Sequence, residues 1–470
     1  MPEDDELDDL AEMFPPDAKD HEVNLIDKAA FIKGIRLGSH ASRGERAKLI
    51  KDLAWRYKEV FGPVVPGSVK SHTHKIIIPK DSEARGNMYS VKGEAVDEAR
   101  KNIQDLLEKG MIKEIDASPH IAPVVMISRV KDGKKKWRLC VDYRALNKIT
   151  ERDSYQMPNL SEQLNVKKAG FFTKLDLASA FWQLPVREED QAKTAFCFEG
   201  KTFVWLVMPF GLRNAPPTFQ RLVDQIFKKM IGKNVYVYID DILIFSESWE
   251  EHVKAIEEVL GKLREYGLKA ALDKTVWAAE EVEFLGYRIA KGVLAMDPFK
   301  LEDMKKVPLP TETIRNGRYV PNLRKQVRSM LGLTGFYRRF IENYAGITAP
   351  LQELTKTTIN IAWGPKHAAA WQALKDAMTK APVLLQADPS KPYLVSTDAS
   401  NVGLGAALLQ ADEQGTLRPV QYASRKLTEA ETRYATRHQE ALAIFWAVQR
   451  LTIISEAEHS SLQCLMTAPQ

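Results

Sequence analysis

Two adjacent carboxylates lie inside a stretch of strand-forming residues, VYVYIDDILIF at 235–245. Burial of even one unpaired carboxylate costs several kcal/mol or shifts its pKa. The pair Asp240 and Asp241 therefore marks either a solvated hairpin turn or a place where a cation is bound. Asp176 lies in a second strand-like stretch, TKLDLASAF, where a single Asp is more often a strand end or a local hydrogen-bond acceptor.

If the strand of Asp176 lies beside the 240–241 hairpin, three carboxylates converge on one patch, and that patch needs a counter-charge. Two Mg²⁺ ions would supply it, because Mg²⁺ prefers hard oxygen ligands from a few carboxylates and from substrate phosphates. A pair of such ions stabilises the attacking and leaving oxygens of an in-line phosphoryl displacement. The three residues thus favour metal-dependent nucleotide addition, and simple turn solvation remains the alternative.

The flanking pattern indicates which elements position these carboxylates. Hydrophobic spacing predicts helices within 90–115, in NAPPTFQRLVDQIFKKMI and in EEHVKAIEEVLGKLREYGL, and KDGK between alternating segments predicts a hairpin. Strands and helices do not alternate regularly, which favours an α+β class with an antiparallel sheet. A Pro-rich stretch at 307–321 predicts a loop, and a basic helix follows at 323–343. Residues 390–450 predict a second, smaller α/β domain of three strands and a helix.

Composition narrows the functional class. A chain of 470 residues suggests several domains, and it contains no apolar run long enough to span a bilayer. Its three cysteines form no CxxC pair, which disfavours a zinc site or a disulfide framework. The net charge is +5 although the first 22 residues are strongly acidic. The remaining chain is therefore basic and suits a polyanionic partner.

Seven stretches in a fixed order resemble the reverse transcriptases of gypsy-type LTR retrotransposons: KDGKKKWRLCVDYRALN, LDLASAFWQ, MPFGLRNAPPTFQ, YIDDILIFS, EFLGY, GFYRRFI and STDAS. The resemblance covers roughly residues 60–450. It implies a right-hand polymerase with fingers and an antiparallel palm sheet at 61–293, and thumb and connection at 294–384. An acidic leader and helical linker (1–60) would precede it, and an incomplete RNase H-like α/β domain (385–470) would follow.

The same resemblance implies roles for individual residues. Asp176, Asp240 and Asp241 would hold two Mg²⁺ ions, with Mn²⁺ as a substitute. Phe181 would be the aromatic gate that clashes with a 2′-hydroxyl and so selects deoxynucleotides. The other nucleotide contacts would be Lys131, Arg138, Phe210 and Gly211. The structural alternative for Phe181 is core packing. For Lys131 and Arg138 it is a solvated basic hairpin, and for Phe210 and Gly211 it is a plain turn before a helix.

Further residues would contact the primer. These are Tyr238 near the catalytic pair and the hairpin residues Phe284, Leu285, Gly286 and Tyr287; their alternatives are strand packing and an ordinary turn. Basic side chains of the helix at 323–343 would meet backbone phosphates, namely Arg324, Lys325, Arg328, Arg338 and Arg339. A solvated helix face is the alternative for this last group.

The C-terminal stretches VSTDASNVGLGAAL and RHQEALAIFWAV resemble the start of an RNase H domain. Asp398 and Glu440 would be metal ligands, with a turn Asp and a surface Glu as the alternatives. In EHSSLQCLM, Glu458 stands where the family has Asp and would be a third metal ligand, whereas the fourth acidic position is missing. We therefore expect an incomplete sheet, a metal site short of ligands and little or no RNase H activity. No protease triplet or integrase zinc motif occurs, so we expect a fragment of a longer polyprotein.

Taken together, the resemblance implies an RNA-directed DNA polymerase that binds RNA and DNA template-primers and dNTPs. Its setting would be intracellular, in a cytoplasmic virus-like particle with access to the nucleus and without a membrane. A homodimer or other proteins of the element would be its protein partners. Two rivals stay open. One is a catalytically inactive nucleic-acid-binding relic, and the other is a structural RNase H-like interaction module, which explains only the C-terminal part.

Overall fold

The computed structural model describes residues 25–131, 134–159, 166, 168–310, 314–315, 318–319, 322–356, 363–388, 390–455 and 462–466. The chain divides into two compact units. The first comprises residues 1–163 and 170–280, and the second comprises residues 164–169 and 281–470. The division falls at 280, whereas the sequence predicted a boundary between palm and thumb at 293.

The central sheet of the first unit has five strands. In spatial order they are β1 (Arg36–Leu37), β10 (Val276–Ala279), β5 (Phe171–Asp176), β9 (Asp241–Ser246) and β8 (Val235–Tyr238). Neighbours are antiparallel, except that β1 runs parallel to β10. Strand β9 carries an apolar run because it lies inside the sheet with both faces covered, and Ile242, Leu243 and Ile244 are fully buried. This is the antiparallel sheet that the sequence predicted.

A second five-stranded sheet belongs to the same unit. Its order is β2 (Ile112–Ile115), β7 (Lys201–Trp205), β6 (Phe196–Phe198), β3 (Ala122–Lys131) and β4 (Lys134–Val141). Strands β3 and β4 pair from Val124 opposite Val141 to Lys131 opposite Lys134. The hairpin predicted at KDGK is therefore present.

The helices described in the first unit cover its sheets. They are α1 (Lys28–Lys33), α2 (Gly44–Arg56), α3 (Glu94–Glu108), α4 (Arg144–Ile149), α5 (Ala215–Ile226) and α6 (Trp249–Tyr266). Helix α6 begins with a capping box between Ser248 and Glu251 and ends at Gly267 with φ +73°. The helices predicted within 90–115, after NAPP and after the carboxylate hairpin correspond to α3, α5 and α6.

Residues 28–61, predicted as a helical linker, pack into the first unit. Phe31, Ile50 and Phe61 are buried in the same apolar cluster as Phe219 and Trp277. The rings of Phe61 and Trp277 lie 5.7 Å apart, and β1 pairs with β10. This segment therefore supports the central sheet directly.

The second unit starts with an antiparallel sheet of β11 (Glu281–Phe284), β12 (Tyr287–Ala290), β13 (Val293–Met296) and β16 (Leu384–Leu385). Its helices are α7 (Pro298–Lys306), α8 (Asn322–Phe336), α9 (Tyr344–Thr355) and α10 (Pro365–Thr379). The segment predicted as a loop contains the short pair β14 (Ile314–Arg315) and β15 (Arg318–Tyr319). The basic helix predicted to reach 343 ends at Phe336, and a 3₁₀ turn follows at Arg338–Phe340.

A four-stranded sheet completes the second unit. Its order is β19 (Leu417–Lys426), β18 (Gly403–Ala411), β17 (Tyr393–Ala399) and β20 (Leu462–Met466). Helix α11 (Thr436–Ser455) follows β19, and its Ala443, Ala447 and Leu451 are fully buried. Strand β20 lies parallel to β17, so the stretch LQCLM adds a strand to a sheet that the sequence predicted to be incomplete. In the described part of the chain, no helix is both long and apolar enough to cross a membrane.

Candidate functional site

Strand register brings the three predicted carboxylates to one end of two adjacent strands. Asp176, the last residue of β5, lies opposite Asp241, the first residue of β9. Asp241 also pairs with Tyr238 across the β8–β9 hairpin, which leaves Ile239 and Asp240 as a two-residue turn. The amide of Leu177 donates to the carbonyl of Asp240 at 2.8 Å. The end of β5 is therefore tied to the turn that carries the second carboxylate.

The turn itself is strained. Ile239 has φ +54°, a left-handed conformation that is rare for a β-branched residue. In two-residue hairpins with a positive φ at the first turn position, glycine is the usual occupant. Residues held in such sparsely populated conformations cost about 1–3 kcal/mol and persist only when their surroundings enforce them.

Gln220 of α5 supplies part of that enforcement. Its Oε1 accepts a hydrogen bond from the Ile239 amide at 2.7 Å, and its Nε2 donates to the Val237 carbonyl at 3.1 Å. Sequence reasoning missed this residue. Its signal was a polar side chain placed among Phe219, Leu222 and Val223 on the apolar stripe of the helix.

The electrostatics of the site show an excess of negative charge. Burial, followed by repulsion from Asp241 and Asp176, raises the pKa of the Asp240 carboxyl to about 6. Burial is also the main cause of the raised pKa of Asp176, and the neighbouring Lys274 opposes it. Carboxyl groups in this state gain stability from a nearby cation.

Two lysines, which sequence reasoning also missed, partly neutralise this charge. Lys274 donates from Nζ to Asp176 Oδ1 at 3.1 Å. The Nζ of Lys174 lies 2.9 Å from Asp241 Oδ1, yet that oxygen is buried without a hydrogen-bond partner. The Lys174 contact is therefore a charge pair whose direction does not suit a hydrogen bond.

The donor set fits divalent cations of the Mg²⁺ type. Carboxylate oxygens are hard ligands, and one of them is buried without a hydrogen-bond partner. Burial and two neighbouring carboxylates raise the pKa of Asp240, so a cation at this place would stabilise its ionised form. Within the described ranges, no three His, Cys, Asp or Glu side chains are already gathered as a ligand set. The lysine ammoniums hold part of the carboxylate surface that a metal ion would need.

The predicted gate residue packs against another predicted nucleotide contact. Phe181, in a 3₁₀ turn at Ala180–Gln183, has its ring 5.2 Å from the ring of Phe210. Gly211 follows with φ +85°, and its carbonyl accepts a hydrogen bond from Asn147 Nδ2 at 2.8 Å. Asn147, in the DYRALN stretch, thus holds the turn behind Phe210 and was not recognised from sequence.

Lys131 and Arg138 share the β3–β4 hairpin. Arg138 is half-buried and lies opposite Ile127. Lys131 is the last residue of β3 and pairs with Lys134, and its side chain lies outside the described structure. The two strands therefore carry both predicted triphosphate contacts on one element.

The predicted primer hairpin lies in the second unit, and half of it is buried. Phe284 and Tyr287 are 0% and 4% exposed, so their side chains belong to the core of that unit. Leu285 and Gly286 form the turn, with φ +51° and +78°, as two-residue hairpin turns require. Tyr337 donates from its hydroxyl to the Gly286 carbonyl at 2.8 Å, and the rings of Tyr287 and Phe336 stack at 5.1 Å. Of the four predicted contact residues, Leu285 and Gly286 are therefore the two that are not buried.

The basic residues after 321 differ in their surroundings. Arg328 and Arg338 are exposed, and Arg328 Nη2 donates to the Thr355 carbonyl at 3.3 Å. Arg324 and Lys325 are half-buried. Burial lowers the pKa of Arg339, whose Nε and Nη1 have no hydrogen-bond partner. Two of the five predicted phosphate contacts therefore clearly present their charge to solvent.

In the C-terminal part of the second unit, the charge of Asp398 on β17 acts on Glu440 of α11. Burial, and then the charge of Asp398, raises the pKa of Glu440. The strand and the helix thus bring the two predicted RNase H ligands close together. Glu458 lies outside the described residues.

Two family models match the chain. Residues 130–289 match the model described as reverse transcriptase (RNA-dependent DNA polymerase). Residues 363–461 match the model of an RNase H-like domain found in reverse transcriptase. Together the matches include the carboxylate hairpin and the Asp398–Glu440 pair.

Similar proteins include Pol polyproteins of Drosophila melanogaster transposons. The chain is 37% identical over 356 residues to that of transposon 297, covering 75% of this chain and 32% of the relative. Against that of transposon opus it is 33% identical, covering 86% of this chain and 41% of the relative. The chain therefore spans less than half the length of these relatives.

Solved structures share the fold. A foamy viral protease-reverse transcriptase in complex with double-stranded DNA has a TM-score of 0.77 and 25% identity, covering 94% of this chain and 74% of that chain. The foamy viral protein in complex with an RNA/DNA hybrid has a TM-score of 0.75 and 25% identity, covering 94% and 57%. The predicted fold class, a polymerase followed by an RNase H-like domain, is confirmed.

Replacing Asp240 by Asn is expected to stabilise the metal-free protein at pH 8. The raised pKa means that the folded state binds this proton more tightly than the unfolded state. The associated stability is therefore lost as pH rises from about 4 through about 6. Asp240→Asn removes this loss. Its free energy of unfolding, compared with that of the wild type, is therefore expected to be higher by about 1–3 kcal/mol more at pH 8 than at pH 4. Urea unfolding in EDTA at both pH values measures the difference. Asp81→Asn, at an exposed position that also tolerates Asn, is the control, and equal pH dependence of the two variants would contradict a repelling carboxylate cluster.

Proposed function

Since this chain belongs to the Pol family of LTR retrotransposons, with a reverse transcriptase domain and an RNase H-like domain, we propose that it is an RNA-directed DNA polymerase. It extends the 3′ end of a primer with deoxynucleotides on an RNA or DNA template. The observation that carries this proposal is the register of β5 and β9, which pairs Asp176 with Asp241 beside the Asp240 turn.

The carboxylates are the proposed metal ligands. Asp176 and Asp240 hold two Mg²⁺ ions, Asp241 completes the set, and Mn²⁺ is a substitute. When bound, such ions stabilise the charge on the attacking and leaving oxygens of an in-line phosphoryl displacement. In the reaction, the primer 3′-hydroxyl loses its proton to solvent and its oxygen forms a bond to the α-phosphorus of the dNTP. The bond between that phosphorus and the α–β bridging oxygen breaks, and pyrophosphate leaves with the bonding electrons.

The chain's own side chains orient the reactants. Lys131 and Arg138 meet the triphosphate with charge-assisted hydrogen bonds. Phe181, supported by Phe210, sits under the sugar. Phe210 and the turn at Gly211 line the nucleotide pocket. Tyr238 contacts the primer end. Lys174 and Lys274 neutralise the carboxylates until the substrate and its metal ions arrive.

Nucleic-acid binding is proposed for the second unit as well. The turn at Leu285 and Gly286 contacts the primer, and exposed cations such as Arg328 and Arg338 meet backbone phosphates. The foamy viral relatives bound to double-stranded DNA and to an RNA/DNA hybrid support this assignment. We also propose an intracellular setting, in a cytoplasmic virus-like particle with access to the nucleus. The proposed protein partners are a second copy of the chain or other proteins of the element.

Primer extension on poly(rA)–oligo(dT) with Mg²⁺ tests the proposal. The wild type is expected to extend the primer, and Asp240→Asn is expected to lose on the order of 10²–10³-fold in rate or more, because it removes charge stabilisation at the reacting phosphate. Asp81→Asn is the control that keeps the wild-type rate. If the wild type binds the hybrid with a steep salt dependence but extends nothing, the inactive nucleic-acid-binding relic is the correct description.

The gate proposed for Phe181 predicts a change in sugar selection. Phe181→Val removes the ring that opposes the 2′-hydroxyl, so the preference for dGTP over rGTP is expected to fall by roughly tenfold or more. Single-nucleotide incorporation with each substrate measures the ratio. Phe198→Val, at another half-buried Phe of the first unit, is the matched control. A core-packing role for Phe181 predicts lower stability with an unchanged ratio.

For the RNase H-like domain we propose little or no cleavage activity. Asp398 and Glu440 are the predicted ligands among the described residues, and Glu458 lies outside them. The proposal rests on the fourth acidic position, which the resemblance to the family implies and this sequence lacks. An RNA/DNA hybrid labelled on the RNA strand, incubated with Mg²⁺, is expected to remain intact. Strong cleavage that disappears in Asp398→Asn would overturn this expectation.

A further inference from the structure

Gln220 is an amide buried where an apolar residue would be expected. It is 0% exposed and lies on α5 between Phe219 and Leu222, both fully buried. A buried amide is tolerated only when its polar atoms are hydrogen-bonded. Both polar atoms of Gln220 are bonded, and two of their three partners are backbone atoms of the carboxylate hairpin.

The contacts hold the strained turn from both sides of Tyr238. The Ile239 amide donates to Oε1 at 2.7 Å, and Nε2 donates to the Val237 carbonyl at 3.1 Å. Ile239, with φ +54°, has a conformation that glycine adopts readily and isoleucine does not. The next residue is Asp240, so the position of its carboxylate depends on how firmly this turn is held.

The third contact sets the orientation of the amide. Nε2 also donates to Asp224 Oδ1 at 2.8 Å, one helical turn further along α5. An acceptor-only carboxylate at this point requires that the NH₂ group of Gln220 face Asp224. The oxygen of the amide is then directed to the Ile239 amide.

Asp224 is itself fixed by a tyrosine. Tyr155 donates its hydroxyl to Asp224 Oδ2, and the guanidinium of Arg221 lies 4.9 Å from the centre of the Tyr155 ring. Arg221 Nη2 also contacts both oxygens of Asp153, at 2.6 and 2.7 Å. A continuous set of contacts thus runs from Asp153 through Arg221, Tyr155, Asp224 and Gln220 to the carboxylate hairpin.

We propose that Gln220 is a positioning residue, oriented by Asp224 and Tyr155, that keeps the Ile239 turn in the conformation which presents Asp240 beside Asp176. This inference rests on the proposed polymerase function for its kinetic consequences. The hydrogen bonds from Gln220 to Val237 and Ile239 are a property of the hairpin, and their effect is measurable without substrate or metal.

The first measurement needs no activity. Amide hydrogen exchange of the metal-free full chain, read on a peptide that spans 237–241, is compared between the wild type and Gln220→Met. Loss of the acceptor for the Ile239 amide is expected to raise exchange in this peptide by about tenfold or more. Gln225→Met, on the exposed side of the same helix, should leave it unchanged. Equal protection in all three proteins overturns the inference.

The second measurement separates positioning from general stability. Polar groups that orient metal ligands change metal affinity or activity by about 10- to 100-fold. Gln220→Met is therefore expected to lower kcat by about that factor and to raise the Mg²⁺ concentration needed for half-maximal rate, while KM for dNTP changes little. Gln225→Met should match the wild type. A loss of kcat at unchanged Mg²⁺ dependence would indicate a purely structural role and contradict the proposal.

Relief of the strain provides the rescue. In an Ile239→Gly background the turn no longer needs the hydrogen bonds from Gln220. Adding Gln220→Met is therefore expected to lower kcat by less than about threefold further. If Gln220→Met lowers kcat by the same factor in the Ile239→Gly background as in the wild type, the inference is overturned. If the wild type itself extends no primer, the polymerase proposal fails, and hydrogen exchange in the wild type, Gln220→Met and Gln225→Met still decides the role of Gln220.

Discussion

The mutual repulsion of three carboxylates at the paired ends of β5 and β9 is the constraint on which the rest of this structure depends. Antiparallel pairing sets Asp176 opposite Asp241, and the tight turn adds Asp240 one residue away. Burial makes the repulsion stronger, because less solvent screens the charges. The surrounding elements are arranged to hold this cluster in place against its own electrostatic cost.

Several features of the first unit serve that purpose. The apolar run of β9 fixes the register, since a slip by one residue would turn every side chain to the opposite face. Lys274, in the turn before β10, contacts Asp176, and Lys174, in β5, contacts Asp241. Helix α5 contributes Gln220 to the turn. The cost of the charged cluster is therefore spread over neighbouring elements that each make ordinary hydrogen bonds, ion pairs or apolar contacts.

Residue order and type were enough to predict the carboxylate cluster, the β3–β4 hairpin, the main helices and the fold class. Local signals such as KDGK, the helical spacing of α3 and the YIDD turn depend on neighbours in sequence. What sequence reasoning missed depends on tertiary register. Lys174 and Lys274 become counter-ions only once β5, β9 and the segment before β10 lie together. Tyr287 is buried against the rings of Phe336 and Tyr337, and these lie about fifty residues further along the chain.

The most direct test of the central claim is a crystal structure of the chain with a dideoxy-terminated template-primer, an incoming dNTP and Mn²⁺, recorded with anomalous scattering from manganese. Two anomalous peaks are expected, bound by Asp176 and Asp240, with the Lys174 and Lys274 ammoniums displaced from carboxylate oxygens. A complex that holds nucleic acid and nucleotide but shows no anomalous peak at these carboxylates, with both lysine contacts intact, would contradict it.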